Sequence, residues 1–248
     1  MGSTAMLRGV VKALLWLRYR VEVRGVEAVR ARGDRKILFL PNHPALIDPV
    51  IVLSSLHKDF RPIPLANGKR TDLPVIGWMA RRVGTVLIPD LTAPNRREMR
   101  EVARGLELVR RSLEEGANVL LYPGGRLARE PEERLGRNGA VERLLKAVPD
   151  ARVVLVRQRG LWGSSFSWGF GREPHVLGNL PMQLAALAAA GIVGLPRRRV
   201  VLELVEPEDF PRTAGRAEVN AYLENFYNAT PNPVVRVPYF WWRSGERP

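Results

Sequence analysis

The chain has 248 residues, 46% of them hydrophobic and 26% charged, a composition that builds a packed core rather than a disordered coil. It has no Cys and three scattered His, which excludes disulfides and thiolate nucleophiles and argues against zinc or iron–sulfur sites. The 39 Lys and Arg against 25 Asp and Glu give a net charge of +14, a field that attracts nucleic acid, anionic lipid or an acidic carrier protein without choosing among them.

Leu7, Val10, Val11, Leu14 and Leu15 fall on one helical face, with Arg8, Lys12, Arg18 and Arg20 off it and Trp16 and Tyr19 near its end. This spacing predicts an amphipathic helix within residues 1–22, too short to span a bilayer, that lies on a membrane surface or packs on the domain. Arg8 and Lys12 interrupt it in a way that does not suit a cleaved signal peptide, so a cytoplasmic chain is expected. Val21 to Glu27 alternates as a short strand, and Arg32-Gly33-Asp34 turns the chain. Ile37 to Leu40 then reads as a buried strand ended by Pro41-Asn42. Asn42 is placed to cap a helix with Pro44 in its first turn, running on from Ala45 to Leu56.

Further strands are expected at 61–66, 84–88, 117–122, 152–156 and 200–205, and helices at 73–82, 95–115, 140–147 and 217–227. Strands alternating with helices make one α/β domain, residues 23–248, with a mostly parallel mixed sheet flanked by helices. Residues 176–196 carry no charge, yet Pro181, Gln183 and three Gly do not suit a straight membrane-spanning helix. The segment is either a buried Ala-rich helix or one that dips into lipid headgroups, with Arg197-Arg198-Arg199 beside it to meet phosphates. The aromatic tail, Pro233 to Arg243, either packs back on the domain or sits at a membrane interface.

His43 falls at a strand-to-helix junction, with Asp48 about a turn and a half further on. A carboxylate there accepts a hydrogen bond from one ring nitrogen, fixes the tautomer and leaves the other nitrogen as a base. Loops at strand ends are where open α/β sheets place their chemistry. A second loop of this kind, Pro123-Gly124-Gly125-Arg126, follows a strand and offers backbone N–H groups and a forked cation to a phosphate or a developing oxyanion. No Gly-x-Ser-x-Gly elbow is present, and Ser164 reads as a turn residue rather than a nucleophile.

The block Asn42-His43-Pro44-Ala45-Leu46-Ile47-Asp48 resembles the first, His-x4-Asp, block of the glycerolipid acyltransferases of the PlsC, or lysophosphatidate acyltransferase, type. Gly84 to Asp90 and Leu121 to Leu127 resemble the second and third blocks, and the strand Val153 to Val156 with Arg157 to Ser167 the fourth. Two departures stand out. Pro89-Asp90-Leu91 replaces an Asp-Arg pair, and Gly124 occupies the Glu position of a Phe-Pro-Glu-Gly pattern.

The resemblance implies transfer of an acyl group from acyl-CoA or acyl-carrier protein to the free hydroxyl of lysophosphatidate or a related lysophospholipid. His43 and Asp48 are then catalytic, and Gly124, Gly125 and Arg126 bind substrate. No metal or bound cofactor is required, and the protein is expected on the cytoplasmic side of an anionic membrane, peripheral or monotopic. Two other readings remain: a lipid-binding relative weakened by Gly124, and a nucleic-acid binder suggested by charge alone. No zinc-finger spacing or RNA-binding aromatic signature accompanies that charge, and no nucleic-acid partner is expected.

Overall fold

A computed structural model describes residues 9, 13, 15–67, 86–88, 96–174 and 196–238. Its centre is the apolar run Ile37–Pro41, strand β2, buried at every position. Side chains alternate across a strand, so Leu38 and Leu40 enter one apolar layer while Ile37 and Phe39 enter the other. Strand β6 (Arg152–Arg159) does the same, sending Val153 and Leu155 one way and Val154 and Val156 the other. A strand apolar on both faces needs cover on both, and the helices supply it.

The first layer is filled from α3 (Arg96–Glu114), α4 (Ala140–Ala147) and α5 (Arg216–Asn228), through Val109, Leu113, Leu144, Leu145, Val219 and Leu223. The second is filled from α1 (Val26–Ala31) and α2 (Asp48–Leu56), through Val29, Ile51, Val52 and Leu56. Each fully buried Leu, Ile or Phe of this kind contributes about 1.5–3 kcal/mol.

The remaining strands are β1 (Tyr19–Arg24), β3 (Ile63–Asn67), β4 (Val86–Ile88), β5 (Val119–Leu120) and β7 (Arg198–Val205). Among the described residues they form one sheet in the order β1-β7-β6-β2-β5-β3-β4. The five strands from β6 to β4 are parallel, while β7 runs antiparallel to β6 and β1 parallel to β7. This is the single α/β domain with a mostly parallel mixed sheet that the alternation of elements implied. At the start of the strands, the Asn118 side chain accepts the Ile37 N–H at 2.9 Å and donates to the carbonyls of Asp34 and Phe60, tying β2, β5 and the lead into β3 together.

Several local expectations change. Residues 15–18 are helical, but β1 begins at Tyr19, so a helix does not continue to residue 20. The strand also stops earlier than expected, at Arg24, because Gly25 (φ 83°) turns the chain into α1. A Cβ there would lie 2.2 Å from the Leu204 carbonyl oxygen, so the turn requires glycine. Helix α2 begins at Asp48 rather than Ala45, with Ile47 at its N-cap position, and Asn42 does not cap it. Instead the Asn42 amide extends the sheet: it accepts the Gln158 N–H at 2.7 Å and donates to the Gln158 carbonyl at 3.2 Å, acting as one more backbone unit alongside β6. Residues 42–45 thereby form an irregular link, not a first helical turn.

Of the two options for the tail, residues 233–238 follow the first and pack back on the domain. The Val235 N–H donates to the Trp162 carbonyl at 2.9 Å, and Arg18 donates to the Val237 carbonyl at 2.9 Å. Arg198 does not stand ready for lipid. It is 4% exposed and donates to the carbonyls of Gly160, Gly163 and Val235. Its neighbours are engaged as well: Arg197 lies 3.6 Å over the Trp16 ring, and Arg199 pairs with Glu22 at 2.8 Å. The helix expected at 73–82, most of the second sequence block, the uncharged segment up to residue 195 and the tail beyond 238 lie outside the described residues. No helix among the described residues is long and apolar enough to cross a membrane.

Candidate active site

The neighbouring parallel strands β5, β2 and β6 end on the same edge of the sheet, and the loops that leave them meet there. Past β5, the Leu121 N–H still bonds the Phe39 carbonyl at 2.9 Å, which brings Tyr122 alongside the loop that follows β2. Past β2, the Leu46 N–H bonds the Phe166 carbonyl at 2.8 Å, which closes the third side. His43 stands between these loops.

Its Nδ1 lies 2.9 Å from Asp48 Oδ2, and the carboxylate is completely buried while the His side chain is 16% exposed. Asp48 is the first residue of α2, where the helix dipole favours a negative charge. The same Oδ2 accepts the Ala45 N–H at 3.1 Å, and the Asp48 N–H returns to the Ala45 carbonyl at 3.1 Å, so the turn fixes the carboxylate before it orients the ring. Oδ1 accepts the Tyr122 hydroxyl at 2.7 Å. Burial first, then the Asp48 charge, pushes the Tyr122 phenol well above its ordinary value, so it stays a donor. The rings of Tyr122 and His43 stack at 4.3 Å between centroids, tilted by 33°. A buried carboxylate holding Nδ1 leaves Nε2, on the far edge of the ring, as the atom to take a proton.

The structure therefore brings His43 and Asp48 together as their spacing suggested. Gly124, Gly125 and Arg126 lie in the turn after Tyr122, with Gly125 and Arg126 exposed. The Gly125 N–H closes that turn on the Tyr122 carbonyl at 3.0 Å. Ser164 is a turn residue as expected; its N–H bonds the Leu161 carbonyl at 3.0 Å. Among the described residues, no cluster of three or more His, Cys, Asp or Glu has metal-binding proximity.

Glu133 is the site residue that spacing did not single out. It is 5% exposed, and its Oε2 accepts the His43 backbone N–H at 3.2 Å. Burial, the largest influence, pushes its carboxyl up to about 7, with Asp48 adding to the rise and His43 and Arg126 opposing it. In sequence it sits in Arg129-Glu-Pro-Glu-Glu-Arg134, a charge run that reads as a solvated loop. Only its anchoring to α5 draws it in, through reciprocal bonds between its backbone and the Asn228 amide at 2.8 and 3.0 Å.

The raised value has a consequence for stability. A carboxyl held above its unfolded value of 4.5 contributes stability that is present below pH 4.5 and lost as pH rises through about 7. Glu133→Gln does not titrate. The wild type is therefore expected to lose about 3 kcal/mol relative to Glu133→Gln between pH 4.5 and 8. Urea denaturation of both proteins at several pH values checks this, and parallel pH curves would contradict it.

Residues 20–157, more than half of the 248, match the family model described as Acyltransferase, and the chain belongs to that family. It is 24% identical over 145 residues to a 1-acyl-sn-glycerol-3-phosphate acyltransferase of Borreliella burgdorferi, a match covering 58% of this chain and 54% of that one. The chain thus spans about half the length of this curated relative. The crystal structure of the 1-acyl-sn-glycerophosphate (LPA) acyltransferase, PlsC, from Thermotoga maritima has the same fold. Its TM-score is 0.59 at 17% identity, over 91% of this chain and 76% of that one.

Proposed function

We propose that the protein transfers a fatty acyl group from the thioester of acyl-CoA or acyl-carrier protein to the free hydroxyl of a lysophospholipid. The observation that carries this reading is the His43–Asp48 pair, 2.9 Å apart, at the carboxyl end of the parallel strands in a chain of this family. His43 Nε2 takes the hydroxyl proton as that oxygen attacks the thioester carbonyl. A C–O bond forms, the C–S bond breaks, and the proton passes from the imidazolium to the departing thiolate. Asp48 stabilises the imidazolium while it exists. Positioned general-base catalysis of this kind is worth about 10²–10⁴ in rate.

Arg126, exposed in the turn that follows Tyr122, is the residue we assign to the acceptor's phosphate. Gly124, with the open backbone of the same turn, lines the approach. The chemistry needs neither a metal nor a bound cofactor. The charge of +14 suits an anionic membrane surface and an acidic carrier, and we place the protein peripherally on the cytoplasmic face. The naming of the Borreliella burgdorferi relative supports lysophosphatidate as the first acceptor to try.

The test incubates purified protein with labelled acyl-CoA or acyl-carrier protein and, in separate arms, lysophosphatidate and lysophosphatidylethanolamine, then resolves the lipid products. A diacyl product in one arm identifies donor and headgroup. Vesicle binding with no diacyl product in any arm would replace this reading with that of a lipid-binding relative, the alternative that Gly124 motivates.

A further inference from the structure

We infer that Glu133 supplies across space the carboxylate that position 124 lacks, acting as a positioning residue for His43. The inference rests on the reading of His43 as the base and adds a group that spacing does not reveal.

The first observation is occupancy. A Cβ built at Gly124 would lie 3.2 Å from Glu133 Oε1 and 3.5 Å from Leu135 Cδ2, so the Glu133 carboxylate borders the place where a side chain at 124 would begin. Gly124 does not adopt the left-handed backbone that would require glycine. A side chain there would instead press on the neighbouring carboxylate. In sequence, this is the position where the resembled third block carries Glu.

The second observation is where the carboxylate points. Oε1 faces Gly124 in the loop after β5, and Oε2 accepts the His43 N–H in the loop after β2, so one side chain bridges the two loops. The same 128–133 segment grips His43 from both sides of its peptide, since the Ala128 N–H donates to the His43 carbonyl at 2.8 Å. The third observation is that the bridge is built rather than draped. Glu133 is buried, its backbone is held twice by Asn228, and the Leu135 N–H is held by Glu224, also on α5, at 2.6 Å. An isolated surface glutamate spends nothing on such anchoring. A carboxyl group bonded to the His43 N–H holds the loop that presents the ring to Asp48.

The test moves the carboxylate back. Glu133→Ala is expected to lower kcat at least tenfold with KM changed less than threefold, because Glu133 is buried and bonds the His43 backbone. Adding Gly124→Glu to that background is expected to recover at least threefold in kcat, whereas Gly124→Glu alone crowds two carboxylates into one site and lowers it. A second readout needs no turnover. Hydrogen exchange at the His43 amide is expected to quicken at least tenfold in Glu133→Ala and to slow again in the double variant. Thermal unfolding of each variant confirms that it is folded. Near wild-type kcat in Glu133→Ala, or a folded double variant that recovers neither kcat nor amide protection, would overturn the inference. If the wild type transferred no acyl group to any acceptor, the proposed function would fall and the exchange measurement would decide this point alone.

Discussion

His43→Ala is expected to lower kcat for acyl transfer by about 10³-fold while leaving the fold intact. The loss is large because the ring stands at the strand ends between a buried carboxylate and the surface. Its Nδ1 is committed to Asp48 at 2.9 Å, and 16% of the side chain reaches the surface, so the proton-accepting edge is the exposed one. The fold tolerates the change because the loop is held by backbone bonds. The His43 N–H and carbonyl meet Glu133 and Ala128, and Ala at position 43 keeps both. A melting temperature within a few degrees of wild type, together with the kinetic loss, is the expected pair of results. Retention of near wild-type kcat would remove His43 from the mechanism.

Asp48 separates charge from geometry. In Asp48→Asn the amide oxygen still accepts from His43 Nδ1 and the Ala45 N–H, and the amide nitrogen meets the Tyr122 hydroxyl, which rotates to accept. The site keeps its shape but loses the charge opposite the imidazolium, so kcat is expected to fall by about 10²–10⁴ with stability nearly unchanged. Asp48→Ala instead strands three donors around a fully buried position: His43 Nδ1–H, the Ala45 N–H and the Tyr122 hydroxyl. That variant is expected to be destabilised by about 3–5 kcal/mol, a fall of roughly 10 °C in Tm. Equal stability loss in the two variants would mean that the Asp48 charge, not its hydrogen bonds, holds the loop.

What was legible in the sequence follows from which forces act locally. The apolar run 37–40 and the alternation of strands with helices are burial patterns, and burial dictated the sheet and its two covered faces. The His-x4-Asp spacing was legible because both residues lie in one short loop. The start of α2 was misplaced because Asn42 prefers a partner 116 residues away over the helix it precedes in sequence. Likewise, Arg198 reads as part of a basic patch until three carbonyls from two other segments are folded around it. Glu133 was invisible for the same reason. Its burial depends on Asn228, 95 residues on, and the space it fills is defined by an absent side chain at 124. Tyr122 lay inside a recognised block, yet its role as the second partner of Asp48 needs β5 and β2 to be neighbours.

The most direct test of the account follows free-thiol release from the acyl donor with and without a lysophospholipid, while intact-protein mass is read in the same samples. Direct attack by the lipid hydroxyl, with His43 as base, predicts thiol release only when the acceptor is present and a protein mass that never changes. Stoichiometric release without acceptor, accompanied by a protein heavier by one acyl group, would show a covalent intermediate and contradict the single-step transfer proposed for this site.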